Sequence, residues 1–73
     1  MNQIEKVFDA REIPMIKRIG TVLQAIEALN AGDILILVND MDPRPLKLKL
    51  GNRYEWEYLE QGPDVFRVKI TRR

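Results

Sequence analysis

Neither cysteine nor histidine occurs anywhere in this chain of 73 residues. Their absence removes the thiolate nucleophile, the side chain that shuttles protons near neutral pH, and the sulfur and imidazole donors that soft metals prefer. Disulfides are excluded as a source of stability, and because small secreted domains usually depend on them, a cytoplasmic setting is expected. No apolar run approaches the roughly 20 residues that a membrane span requires. The opening Met1-Asn2-Gln3-Ile4-Glu5-Lys6 lacks the charged-then-apolar layout of a secretion signal. Twelve basic residues stand against eleven acidic ones, a formal net charge of +1. Such a balance gives no overall field to draw in nucleic acid or anionic lipid, so a charged partner has to be read by a local patch. A chain this short supports one core, and residues 1–73 are read as a single domain whose pocket is shallow or shared with a partner.

What is present has clear punctuation. Glu5-Lys6-Val7-Phe8-Asp9 reads as a first strand, followed by a turn that ends at Pro14. Beyond it Ile16, Ile19, Leu23, Ile26 and Leu29 recur at three- and four-residue spacing, with Val22 widening the stripe and Lys17, Arg18, Gln24 and Glu27 mostly off it. That pattern predicts an amphipathic helix, closed by Asn30-Ala31-Gly32. Gly20 inside it reflects either close packing on the sheet or simple tolerance. Ile34-Leu35-Ile36-Leu37-Val38 is apolar at every position, the pattern of a central strand covered on both faces. So short a chain can hardly supply helices to both faces. Either another molecule covers the second face or long neighbouring side chains lie across it, and its contacts are read as Leu35, Leu37, Arg67 and Lys69.

In the run Pro43-Arg44-Pro45-Leu46-Lys47-Leu48-Lys49-Leu50, local signals conflict. Leu46, Leu48 and Leu50 alternate as in a strand, yet Asp42 suits an N-cap, Pro43 the first helical position and Gly51 a terminator. A short second helix is predicted. Tyr54, Trp56 and Tyr58 alternate with Glu55 and Glu57, and after Gln61-Gly62-Pro63-Asp64 the residues Phe66, Val68 and Ile70 alternate with Arg67, Lys69 and Thr71. These segments form a hairpin, with the aromatics turned toward the helices and Glu55 and Glu57 facing Arg67 and Lys69 in a charge ladder. The order βαβαββ gives an α+β fold, a two-layer α/β sandwich with a mixed four-stranded sheet and two helices on one face.

A right-handed crossover makes the first two strands parallel and brings the loops after them to one edge, beside both helix starts. Arg11, Asp40, Asp42 and Arg44 form the candidate corner. Its exposed amides and arginines could hold a small anion or a partner's carboxylate. In the structural alternative Asp42 caps the second helix and Asp40 pairs with Arg11. Asp9, Asp40 and Asp42 lack the ligand count of a calcium loop, and Met15 and Met41, though able to bind copper(I), are of a type that more often packs. The aromatics fall on the core face rather than with the bases, which disfavours nucleic-acid stacking and leaves weak RNA contact at the basic C-terminal end.

The blocks Asp9-Ala10-Arg11-Glu12-Ile13-Pro14, Ala28-Leu29-Asn30-Ala31-Gly32-Asp33, Asn39 to Leu46, and Trp56-Glu57-Tyr58-Leu59-Glu60-Gln61-Gly62-Pro63 together resemble an uncharacterised bacterial family related to the TusA/SirA-type sulfur carriers. The resemblance covers nearly the whole chain and implies the same TusA/SirA-like sandwich. It also implies stand-alone modules or fusions to hemerythrin-like or cupin-like partners, in bacterial redox, sulfur or nitrogen-oxide metabolism. It does not carry over the carrier chemistry. Met15 stands where the carriers have their cysteine, and a thioether cannot form a persulfide. Ile19 and Met41 stand where the closer family commonly has histidine. The expectation is a non-enzymatic accessory or protein-interaction module without a cofactor, with weak self-association compatible with it. Its alternatives are a ligand- or metal-dependent redox accessory whose site a partner completes, and a weak RNA-binding module.

Overall fold

Alternating and helical patterns resolve into β1 (Glu5–Asp9), α1 (Met15–Glu27), β2 (Ile34–Asn39), α2 (Arg44–Leu50), a 3-10 turn (Gly51–Arg53), β3 (Tyr54–Gln61) and β4 (Phe66–Arg72). This is a computed structural model, and it describes residues 3–73; Met1 and Asn2 of the N-terminal stretch read above lie outside the described residues. The strands form one sheet in the order β1-β2-β4-β3. β1 runs parallel to β2, and β4 pairs antiparallel with both β2 and β3. Buried residues of both helices, Val22, Ile26, Leu46 and Leu50, share one cluster with Leu35, Leu37, Val68, Ile70 and Tyr54, so the helices cover one face of a mixed sheet. The expected α+β sandwich is the observed architecture.

Helix α1 presents a different face from the one its isoleucines suggest. Its buried residues are Arg18, Val22 and Ile26, one per turn, whereas Ile16 is 92% and Ile19 51% exposed. The helix also ends at Glu27, before Asn30-Ala31-Gly32. Those residues form the turn into β2, where Gly32 takes φ 89° and the Asp33 carboxylate accepts the Asn30 N–H at 2.9 Å and the Ile4 N–H at 3.0 Å. A Cβ on Gly20 would meet nothing within 4 Å, so tolerance rather than close packing explains that glycine.

Leu35 and Leu37 are not open-face contacts. Register pairs them with Ile70 and Val68, and they lie in the core at 0% and 1% exposure. Side chains alternate along a strand, so Ile34, Ile36 and Val38 are the residues on the other face. There Ile36 is paired with Lys69 and Val38 with Arg67.

The second helix forms as expected, with Leu46 and Leu50 buried and Leu48 left 79% exposed. Its start differs from the expectation. Pro43 occupies the cap position and Asp42 stands one residue before it, with no side-chain cap. Asp42 instead accepts the Arg44 N–H at 3.0 Å, an aspartate turn that leads into the helix. Gly51 follows with φ 68°, a conformation that glycine adopts without a side-chain clash.

In the hairpin Glu57 faces Lys69, but Glu55 faces Thr71 rather than a base. A bulge between Tyr58 and Glu60 shifts the register, so Arg67 meets Glu60, at 3.5 Å. One extra residue in a strand leaves no trace in an alternating pattern, so alternation alone puts the ladder one pair out of place.

Candidate functional site

Parallel pairing of β1 and β2 sends both following loops to one edge, and the Ala10 N–H binds the Val38 carbonyl at 2.8 Å to join them. Between them stands Arg18, projected from the second turn of α1 with its side chain only 9% exposed. A buried guanidinium needs an acceptor for each of its donors. Nε and Nη2 both reach the Ile13 carbonyl, at 3.0 and 2.8 Å, and Nη2 also reaches the Arg11 carbonyl at 3.1 Å. Nη1 reaches Asp40 Oδ1 at 2.8 Å and Asn39 Oδ1 at 3.2 Å. One side chain thereby fixes both loops.

The expected Arg11–Asp40 pair does not form, because Arg18 takes Asp40 and Arg11 turns back onto Asp9. Arg11 forks onto both Asp9 oxygens, with Nη2 to Oδ2 at 2.7 Å, and its backbone N–H adds a bond of 3.0 Å. These hydrogen bonds hold the Asp9 carboxyl at about 2, below its ordinary 3.8. Asp33 is also lowered, by the backbone donors of Ile4 and Asn30. Asp42 and Arg44 form a looser pair at 3.7 Å, and Tyr58 donates its hydroxyl to Asp42 Oδ1 at 2.6 Å. Burial, and then that hydrogen bond, raise the Tyr58 phenol above its usual value. The four corner residues therefore fall into two groups: Arg11 and Asp40 around Arg18, and Asp42 and Arg44 beside Tyr58.

Between the starts of the two helices lies an apolar cleft of about 130 Å³. Val22, Leu37 and Leu46 belong to the core, whereas Met15, Ile19 and Met41 stand 57%, 51% and 52% exposed around the cleft. Arg18, Asn39 and Asp42 provide its polar lining. Met15, Ile19 and Met41, the three positions singled out in the sequence for what they lack, thus share one site. Arg67 and Lys69 lie on the far side of the sheet, where Val38 is 4% exposed between Asp9 and Arg67 in register.

Arg18, Asn39 and Tyr58 are not among the site residues expected from the sequence, which reads Arg18 as off the apolar stripe although it is buried, and Tyr58 as a core aromatic, which it is. Arg18 gives a usable signal, since it lies four and eight residues before Val22 and Ile26 on one helix face. Among the described residues no group of three or more aspartates and glutamates is placed to hold a metal. No curated protein and no solved structure matches the chain. From Val7 in β1 to Arg72 in β4, over residues 7–72, the chain matches the family described as uncharacterized conserved protein (DUF2249), and it belongs to that family.

Proposed function

We propose that this protein is a non-enzymatic accessory module that docks a partner at the corner where its two helices begin, within bacterial redox, sulfur or nitrogen-oxide metabolism. The observation that carries this reading is the apolar cleft with Met15, Ile19 and Met41 exposed around it. Half-exposed side chains that converge on a concavity present apolar surface whose removal from water favours binding, at about 25 cal/mol per Å². Arg11 and Arg44, 44% and 65% exposed in their side chains, flank the corner in pairs with Asp9 and Asp42, and a partner's carboxylate competes for the looser Arg44 pair, at 3.7 Å. Cytoplasmic hemerythrin-like or cupin-like proteins are the partner classes that the family resemblance suggests. Capture of the tagged protein from its native lysate after nuclease treatment tests the reading, with Ile19→Asp in parallel. A stoichiometric protein partner held by the wild type and lost by Ile19→Asp is expected; equal capture by both would move the contact away from the cleft.

A redox accessory whose site a partner completes is the second reading, favoured by the two thioethers, Met15 and Met41, that line the same cleft. Thioethers suit copper(I), and two of them leave coordination positions for a partner to fill. Copper(I) titration of Met15→Leu/Met41→Leu against the wild type separates the two readings, since affinity carried by the thioethers disappears in the variant while docking to an apolar partner survives.

A further inference from the structure

A larger pocket, of about 390 Å³, lies at the opposite end of α2, where Lys47, Asn52, Tyr54, Trp56 and Arg73 meet. None of its lining residues is acidic. Arg53 and Arg72 do not line it, but their guanidiniums stand 5.9 and 5.2 Å from the centre of the ring of Tyr54, which does. Ion pairs among the described residues use Arg11, Arg18, Arg44 and Arg67. Lys47, Arg53, Arg72 and Arg73 take part in none of them. Two cationic side chains without an ion-pair partner thus line one concavity, and two more stand at its Tyr54 wall, in a chain whose side chains sum to only +1. Like charges held together repel one another, and a bound anion relieves that repulsion.

We propose that this pocket binds a small phosphate monoester. Lys47 and Arg73 face the phosphate, Arg53 and Arg72 reinforce the positive field, and Asn52 adds a donor. Guanidinium and phosphate geometries match two bonds at a time, and four cations exceed what a single carboxylate needs. Leu48, Leu50 and Trp56 line the same pocket and give the ester's organic part an apolar wall. The volume falls in the range of small-molecule sites, about 300–1,000 Å³. This site is separate from the methionine cleft and does not rest on the docking reading.

The phosphate of a mononucleotide and the phosphates of RNA share this chemistry, and amide-resolved NMR titration distinguishes them. AMP and inorganic phosphate should shift Lys47, Gly51, Asn52, Arg53 and Arg73 saturably, and adenosine should not. Lys47→Gln/Arg73→Gln should weaken AMP binding about tenfold or more, as loss of charge-assisted contacts does, while Lys17→Gln on α1 leaves it unchanged. All these positions are exposed, and melting curves confirm that the variants fold. Equal binding of adenosine and AMP, shifts spread over all the cations without saturation, or an equal effect of Lys17→Gln would each overturn the proposal. So would a short oligouridylate that binds more tightly than AMP, since the patch would then be a strip of nucleic-acid surface.

Discussion

Arg18 makes one side chain responsible for the corner. Replacement by methionine keeps the aliphatic stem but leaves the Arg11 and Ile13 carbonyls and Asp40 without their donor. Loss of a part-buried, charged hydrogen-bond hub costs about 3 kcal/mol. Urea denaturation of Arg18→Met at unchanged m-value checks this, and a loss under about 1 kcal/mol, the scale of an exposed ion pair, would mean that water replaces the network. Lysine at this position retains charge but not the planar fork, so Arg18→Lys should fall between wild type and methionine. Arg18 was hard to recognise in the sequence because arginine counts as polar in any periodicity while its stem buries like an apolar residue. The pairing of Asp9 with Arg11 is not legible in the sequence, because it follows from Arg18, on α1, taking Asp40. The folded value of Asp9, about 2, lies below the ordinary 3.8. A lowered value means that the native state favours the ionised form, so this contribution is complete above 3.8 and is lost as pH falls through about 2. Asp9→Asn should flatten the stability curve across that window; an unchanged acid slope would assign it to other groups, Asp33 among them.

Elements were legible where punctuation decides and obscure where parity does. The α2 leucines alternate like a strand, but two prolines at one end and Gly51 at the other frame a helix, and the helix forms. For β2 no punctuation helps: five consecutive apolar residues do not say which alternate set faces the helices, and only pairing with Val68 and Ile70 selects Leu35 and Leu37. The two glycines at helices carry opposite predictions. Gly20→Ala adds a methyl group in open space and reduces the freedom of the unfolded chain, so it should stabilise by about 0.5–1 kcal/mol. Gly51→Ala forces a side chain into φ 68° and should destabilise by about 1–2 kcal/mol. Thermal melts of the pair provide an internal comparison, and two changes of the same sign would contradict the geometry.

At the scale of the molecule, stability is unevenly distributed. β2 and β4 occupy the centre of the sheet and carry Leu35, Leu37, Val68 and Ile70, whereas β1, of five residues, holds to β2 alone. Amide exchange should therefore be slowest in β2 and β4 and fastest among the strands in β1. Equal protection in β1 and β2 would show that the sheet opens only as a whole. Fold class was readable because each layer follows from local patterns, whereas the methionine cleft and the basic pocket form only when distant residues meet. The loop after β1 is anchored through the carbonyls of Arg11 and Ile13, and a carbonyl is the same whatever side chain its residue bears. The grip of Arg18 on this loop is therefore blind to composition and sensitive to length: exchanging Glu12 leaves both acceptors in place, but one inserted residue moves them out of reach of a fork whose position the helix fixes.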